Sequence, residues 1–270
     1  MKSLIKIEWR KVLYNRIFWL TLGGYFLIMV LALWRMRYQI EVFNDTIKEG
    51  ANGFIPLIPS DIYVFPHVWH NLTFIARFFK IFLGVIMVIL VTNEYSYNTL
   101  RQNMIAGMSR FQLVLAKFLD AVLLSAVATL LIFVFGMIFG LLNTEPLLIA
   151  DIFDKMTYLG AYFLMLAGFL SFSMMLAFLI KRPAVVLGII LIYIFIAEPI
   201  LASKYDESFG NYLPIRSMNL MIELPDIPIF ALFHVKPLYY GISPLHIGLT
   251  LAYTTLFFGI SYLYMRRKDL

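Results

Sequence analysis

Long runs of apolar residues limit what this chain can fold into more than any other feature of its sequence. A helix that crosses the hydrocarbon layer of a bilayer needs about 20 apolar residues, and every backbone polar group there must be bonded within the protein. Of the 270 residues, 61% are hydrophobic and only 14% are charged, a balance far from that of a soluble domain. We therefore predict an all-α polytopic membrane protein.

Six apolar windows are long enough to span a membrane as helices. They lie at about residues 17–34, 72–92, 121–142, 158–180, 184–201 and 247–265. The fifth window is the least regular, because Glu198 and Pro199 interrupt its far end and proline disturbs the interior of a helix. We predict one transmembrane domain over residues 1–270, with six membrane-spanning helices.

The distribution of Lys and Arg predicts the orientation of these helices. Segments on the side of the N-terminus are rich in basic residues and poor in acidic ones, whereas the opposite segments hold more acidic than basic residues. Because cytoplasmic loops accumulate positive charge, we expect both termini in the cytoplasm and the chain in the inner (cytoplasmic) membrane. The net charge of +6 then reflects topology, and we expect no nucleic-acid partner.

Residues 1–16 have an amphipathic pattern. Leu, Ile, Trp and Val fall on one helical face, and Lys and Arg fall on the other. This pattern predicts a helix that lies in the membrane interface. A solvated basic terminus that only sets topology is the alternative.

Two long segments, 35–71 and 202–244, are predicted to lie outside the membrane. The first has no long apolar run and contains several Asn, Gly and Pro residues that interrupt regular structure. The prolines of the second make a continuous long helix improbable there. Within the second segment, residues 227–235 are apolar but too short to span the bilayer. They are interpreted as a re-entrant or interfacial piece, or as the core of a small external cap.

Two cations, Arg77 and Lys80, fall within the second apolar window. Charged side chains at depth are costly, and they face the interface, a partner or a cavity. One interpretation is snorkelling or ion pairing, with Glu41, Asp61 or Glu198 as partners. The other is that both cations line a substrate path.

Enzyme signatures are absent from the sequence. The chain has no Cys, and it lacks the phosphate loop, the zinc-binding H-E-x-x-H helix and the G-x-S-x-G nucleophile elbow. His67 and His70 have the spacing of a metal pair but no obvious third ligand. We expect no metal site, no bound cofactor and no enzyme activity in this chain.

The polar loop 93–118 between the second and third windows carries the clearest candidate site. Residues 99–105 are predicted to form a short helix that Gly107 ends, and Ser109 is placed to cap a new helix that begins at Arg110.

The short helix of this loop has a mixed apolar and polar surface. Leu100, Met104 and Ile105, next to Arg101, are expected to be exposed and to form a docking surface for another protein. A plain solvated loop that sets topology is the alternative.

The same loop carries a recognisable pattern, E-x-x-x-x-T-L-R followed by G-x-S-R-x-x-x-x-x-x-K. The matching residues are Glu94, Thr99, Leu100, Arg101, Gly107, Ser109, Arg110 and Lys117. Together with a basic N-terminal helix and six windows, this pattern resembles the type-2 ABC transporter permeases. The resemblance covers the whole topology, although the specific motif covers only about 25 residues.

The resemblance implies a permease subunit, in membrane lipid, that pairs with a second copy or a related permease. It also implies a separate ATP-binding cassette ATPase that holds ATP and Mg²⁺. By position, residues 99–106 match the coupling helix that docks on the ATPase, with Glu94 and Arg101 stabilising its junction with the N-terminal helix.

An exporter is the function that this resemblance favours. A module that uses the same ATPase to act mechanically on an extracytoplasmic complex is the main alternative. A membrane-embedded enzyme is disfavoured, because the predicted membrane spans contain no pair of catalytic residues with suitable spacing.

Overall fold

A computed structural model describes residues 16–50, 63–97, 99–146, 148–204, 207–225 and 241–267. The predictions for residues 1–15 and for 227–235 lie outside these ranges. Within them the chain is helical and contains no strand. The helices are α1 (Arg16–Gly50), α2 (His67–Ala76), α3 (Lys80–Ser96), α4 (Thr99–Ile105), α5 (Arg110–Asn143), α6 (Ile149–Phe153), α7 (Thr157–Ile180), α8 (Pro183–Ile192), α9 (Glu198–Lys204), α10 (Glu207–Gly210), α11 (Pro214–Asn219) and α12 (Pro244–Arg267).

Five stretches of the described chain are long and apolar enough to cross a membrane. They are His67–Ser96, Arg110–Asn143, Ile149–Ile180, Pro183–Lys204 and Pro244–Arg267. A shorter apolar stretch, Phe18–Ala32, lies within α1. The predicted all-helical membrane protein is therefore confirmed, whereas the sixth span and the cytoplasmic position of the termini remain predictions.

Helix α1 extends further than the first apolar window. It continues past residue 34 to Gly50, so the segment predicted to begin an outer loop begins as helix. Residues 35–49 contain neither Gly nor Pro, the two residues that most disfavour a helix interior. Gly50 ends the run.

Helix α7 is the centre of the bundle. Of its apolar window 72% is buried, against 17% for the window of Pro183–Lys204, and α7 contacts α3, α5 and α12. Small residues allow this close packing. At Gly84 on α3, an added Cβ would lie 3.0 Å from the ring of Phe169 on α7.

Two glycines of α5 receive aromatic rings at the end of the bundle near residue 144. A Cβ on Gly136 would lie 2.4 Å from the Trp69 ring, and one on Gly140 would lie 2.3 Å from the Phe65 ring. The Trp69 indole N–H donates to the Ile152 carbonyl at 2.7 Å. These contacts lock α2 against α5 and α6.

The helical stretch Pro183–Lys204 passes through Pro199 without ending. A π-helical turn, Tyr193–Ala197, joins α8 to α9. Because Pro199 has no N–H to donate to the Phe195 carbonyl, the regular hydrogen-bond ladder must be interrupted there. The turn absorbs this defect, and the helix continues to Lys204.

Candidate functional site

Helix α4 lies in the loop between the stretches His67–Ser96 and Arg110–Asn143, where a short helix was predicted. Ile105 is 81% exposed and Met104 is half-buried. Leu100 is only 3% exposed, so the prediction that it forms part of the exposed surface is wrong. A helix of seven residues has one face against the bundle, and Leu100 lies on that face.

The backbone after α4 reverses in a Schellman motif. The Met108 N–H donates to the Asn103 carbonyl and the Gly107 N–H donates to the Met104 carbonyl, both at 3.0 Å. Gly107 has a φ of +91°, a conformation that favours glycine. The predicted break at Gly107 is confirmed.

Ser109 caps α5 as predicted. Its hydroxyl accepts from the Gln112 N–H at 3.2 Å, and the Gln112 side chain accepts from the Ser109 N–H at 2.9 Å. This reciprocal pair is a capping box. The capping box therefore fixes the conformation of the C-terminal end of the loop, where α5 begins.

A buried ionic group stands below α4. Lys117 on α5 lies 2.6 Å from a Glu94 carboxylate oxygen on α3 and 3.3 Å from an Asp120 oxygen, and all three residues are less than 9% exposed. The Thr99 hydroxyl also donates to the Glu94 carbonyl at 3.4 Å. Glu94 thus joins α3, α4 and α5, whereas its predicted contact with the N-terminal helix involves residues outside the described ranges.

Other helices end beside this group. Arg110 donates to the Arg266 carbonyl in the last described turn of α12. The Tyr95 hydroxyl donates to the Phe178 carbonyl of α7 at 3.3 Å. Lys181 lies over the ring of Tyr95 at 5.7 Å. We call this part of the molecule, residues 94–97, 99–120, 178–182 and 265–267, the loop end.

Arg101 is exposed on α4. It lies on the same exposed side of α4 as Ile105, where it is accessible to a partner. Within the described part of the chain, no hydrogen bond or ion pair joins Arg101 to Glu94. Glu94, Thr99, Lys117 and Arg110 thus hold the loop against the helices of the bundle. Arg101 and Ile105 are exposed to solvent.

Arg77 and Lys80 lie at the opposite end of the bundle. Arg77 donates to the carbonyls of Asn219 at 3.3 Å and Ile222 at 2.6 Å. Lys80 donates to the side-chain oxygen of Asn219 and is 4% exposed. Their hydrogen-bond partners, Asn219 and Ile222, lie in and just after α11, within the segment 202–244 that was predicted to lie outside the membrane.

Glu198 approaches the same segment from the other side. Its Oε1 accepts from the N–H groups of Ile215 at 2.8 Å and Arg216 at 3.0 Å. We call this arrangement of Arg77, Lys80 and Glu198 around α11 the α11 clamp. The available sequence signal was Pro214, since proline favours the first position of a helix.

The ring nitrogens of His67 and His70 face different partners. His67 Nδ1 lies 3.2 Å from the Lys155 Nζ, while His70 Nε2 lies 2.8 Å from the Glu223 carbonyl. The His70 ring also stacks on Tyr158, with 4.1 Å between ring centroids. Among the described residues no three His, Asp or Glu side chains are grouped to hold a metal.

Comparison with known proteins gives two matches. Residues 4–197 match the sequence model of a family described as "ABC-2 family transporter protein". The chain is also similar to the uncharacterized protein YhcI of Bacillus subtilis (strain 168), with 27% identity over 177 residues. That alignment covers 53% of this chain and 55% of the relative, so it spans about half the length of each.

Proposed function

Because this chain belongs to the ABC-2 family of transporter proteins, we propose that it is the permease subunit of an ATP-binding cassette exporter. The family match includes the loop motif from Glu94 to Lys117 and confirms the resemblance on which the prediction was based. A permease of this family is a multi-pass membrane component. In the proposal, ATP and Mg²⁺ are bound by a separate ATPase subunit.

The observation that carries the proposal is the structure of α4. It is a short helix with an exposed Ile105 and Arg101, bounded by a Schellman turn and a capped helix. An exposed apolar side chain beside a cation, on a rigid support, suits a protein docking site. We assign this surface to the ATPase subunit.

The supports of α4 provide a route for mechanical coupling. When ATP closes the ATPase subunits, a displacement of α4 reaches α3 and α5 through Glu94, Lys117 and Asp120. It reaches α12 through Arg110 and the Arg266 carbonyl. Buried ion pairs resist separation, so the force moves whole helices, as rigid-body transport changes require.

The remaining parts of the proposal concern topology and assembly. We place Phe18–Ala32 of α1 as the first of six spans. In this proposal the protein lies in the inner membrane, and both of its termini are in the cytoplasm. The stretch Pro183–Lys204 buries only 17% of its apolar window within one chain. This free apolar surface suits lipid or a second permease copy, and we propose a homodimer.

The docking assignment is tested by Ile105→Asp in the full chain, co-expressed with the candidate ATPase subunit. Because Ile105 is 81% exposed, the substitution should leave the fold intact and reduce ATPase co-purification by about tenfold or more, as for an interface hot spot. Ile149→Asp is the matched control, since Ile149 is 75% exposed at the opposite end. Equal ATPase recovery with both variants would exclude α4 as the docking helix.

Export is tested separately from docking. ATP-dependent uptake of candidate substrates into inside-out vesicles distinguishes an exporter from a module that acts mechanically on an extracytoplasmic complex. Stimulated ATPase activity without flux of any candidate would favour the mechanical alternative. The helix α11 packs against α7 and α12 and belongs to the segment predicted to lie outside the membrane, which keeps this alternative in view.

A further inference from the structure

The helix α11 is short but deeply enclosed by the membrane helices. Ile215 and Met218 have no exposed surface. The Met218 side chain lies on Gly168 of α7, where an added Cβ would be 2.9 Å from the methionine Cε. A six-residue helix cannot hold itself together in isolation, so its position depends on these neighbours.

The N-terminus of α11 is capped from another helix. The N-cap residue, Leu213, has no side-chain acceptor, and Pro214 follows it. The next two N–H groups, of Ile215 and Arg216, would remain unpaired. Both donate to Glu198 Oε1, and the carboxylate also matches the positive end of the helix dipole.

The π-helical turn presents Glu198 to this position. Glu198 is 4% exposed, while Pro199 and Ile200 beside it are exposed. A π turn inserts a residue into the helix, and one residue corresponds to a rotation of roughly 100° for the side chains that follow. The irregularity before Pro199 therefore has a structural consequence, since it directs one carboxylate at α11.

The C-terminal side of α11 meets two cations. Arg77 donates to the Asn219 and Ile222 carbonyls, and Lys80 donates to the Asn219 side chain. The Arg77 guanidinium lies 4.0 Å from the centroid of the Phe74 ring, so its environment is largely apolar. Cations at this end complement the helix dipole, just as Glu198 does at the other.

We propose that the α11 clamp joins α11, the stretch His67–Ser96 and the stretch Pro183–Lys204 into one rigid unit that stays closed around α11 throughout the transport cycle. Arg77, Lys80 and Glu198 are positioning residues in this unit, and α11 is a fixed wall of the bundle. The clamp itself stands on the contacts of the chain alone, whereas its behaviour in the cycle rests on the proposed function. The family match ends at residue 197, so Glu198 and α11 lie beyond it.

The test uses the absence of cysteine from the chain. Met218→Cys introduces a single thiol on the buried face of α11, and a membrane-impermeant maleimide reports its accessibility in lipid nanodiscs. We expect very slow labelling in this parent and at least about tenfold faster labelling after Glu198→Ala, which removes both capping hydrogen bonds. Lys80→Met should accelerate labelling in the same direction.

Two matched controls exclude a general effect of lost charge. Glu145 and Lys204 are both exposed, so Glu145→Ala and Lys204→Met should leave the labelling rate of Cys at position 218 unchanged. If Glu198→Ala does not yield monodisperse protein, Glu198→Gln decides the question. It keeps an accepting oxygen and removes the charge, so we expect a smaller rise of about threefold.

The first overturning result is equal labelling in the parent and in the Glu198 and Lys80 variants, which would show that the clamp does not hold α11. The second comes from the complex with the ATPase. A non-hydrolysable ATP analogue should change the labelling rate of the intact clamp by less than about twofold, since a closed rigid unit keeps its hydrogen bonds. A large nucleotide-dependent rise would show that α11 opens separately.

Failure of the proposed function has a different signature. In that case no ATPase subunit binds and nucleotide has no target, yet the effects of Glu198→Ala and Lys80→Met on labelling persist in the permease alone.

Discussion

The two ends of the bundle both bury charged side chains, but they neutralise them differently. At the loop end, Lys117 lies between two carboxylates, those of Glu94 and Asp120. In the α11 clamp, Arg77 and Glu198 instead bond backbone groups at the two ends of a short helix. The first arrangement joins whole helices, and the second orients a small segment between helices.

This difference determines what the loss of one charge leaves behind. Without Lys117, two carboxylates remain close together and buried, which is a strongly unfavourable arrangement. Without Glu198, two N–H groups lose their acceptor and the buried Lys80 loses a nearby anion. Lys80 and Arg77 keep their hydrogen bonds to Asn219 and Ile222, so the main cost is that of unsatisfied polar groups. The loop end should therefore tolerate single charge removals less well than the clamp does.

The largest expected effect tests this comparison directly. Lys117→Met should lower the free energy of unfolding by about 3–5 kcal/mol, the usual cost of breaking a buried ion pair. Thermal unfolding of the purified permease in detergent measures the change. Lys204→Met, at an exposed position, is the control and should be close to neutral.

A compensated variant sharpens the same point. Combining Lys117→Met with Glu94→Gln and Asp120→Asn removes the like-charge repulsion, and it should recover part of the lost stability. If the triple variant is no more stable than Lys117→Met, repulsion between the carboxylates is not the cause of the loss.

The second prediction concerns the packing of the Phe65 ring on Gly140 of α5, at the end of α5 opposite α4. Gly140→Ala places a Cβ 2.3 Å from the Phe65 ring, and overpacking of this kind costs about 1–3 kcal/mol. Gly160→Ala is the control, because nothing lies within 4 Å of a Cβ there. A helix with Ala in place of Gly gains about 0.4–1 kcal/mol, so the control should raise the midpoint of thermal unfolding and the test variant should lower it.

Equal midpoints of thermal unfolding for the two alanine variants would contradict the close packing of Phe65 against Gly140 of α5. The stability of this end would then depend on the clamp more than on aromatic packing.

The smallest expected effect compares a local cap with the cap that Glu198 provides from a distance. Ser109→Ala removes the capping box of α5 and should cost about 1 kcal/mol. Ser203→Ala, which alters an exposed hydroxyl, should change stability by less than about 0.5 kcal/mol. A drop in ATPase coupling with Ser109→Ala that exceeds its effect on unfolding would indicate that the cap also holds α4 in its docking position.

Some features of the site were predictable because they depend on neighbouring residues. Gly107 and Ser109 end one helix and begin the next, and each acts through bonds within five residues along the chain. Such signals can be read from residue type and spacing. The burial of Leu100 was not predictable in this way, because periodicity in a seven-residue helix does not show which face meets the bundle.

The α11 clamp shows the same limit more clearly. Arg77 and Lys80 were recognisable as costly charges in an apolar stretch, but the sequence left their partners open. Two of the partners considered, Glu41 and Asp61, belong to residues whose side chains the structure does not describe. Asn219 was not considered, since nothing local relates it to Lys80.

Residue types and their spacing were enough to predict a helical membrane protein of the ABC permease family, with a short helix in one loop and a capped helix after it. Hydrophobic length, helix caps and a family motif are properties of contiguous residues, so they survive without coordinates. The tertiary structure was needed to show that Lys117 meets Glu94 as well as Asp120, and that Glu198 caps α11. Lys117 and Asp120 are neighbours on α5, but Glu94 with Lys117 and Glu198 with Ile215 join different helices. Helix packing brings those residues within hydrogen-bonding distance.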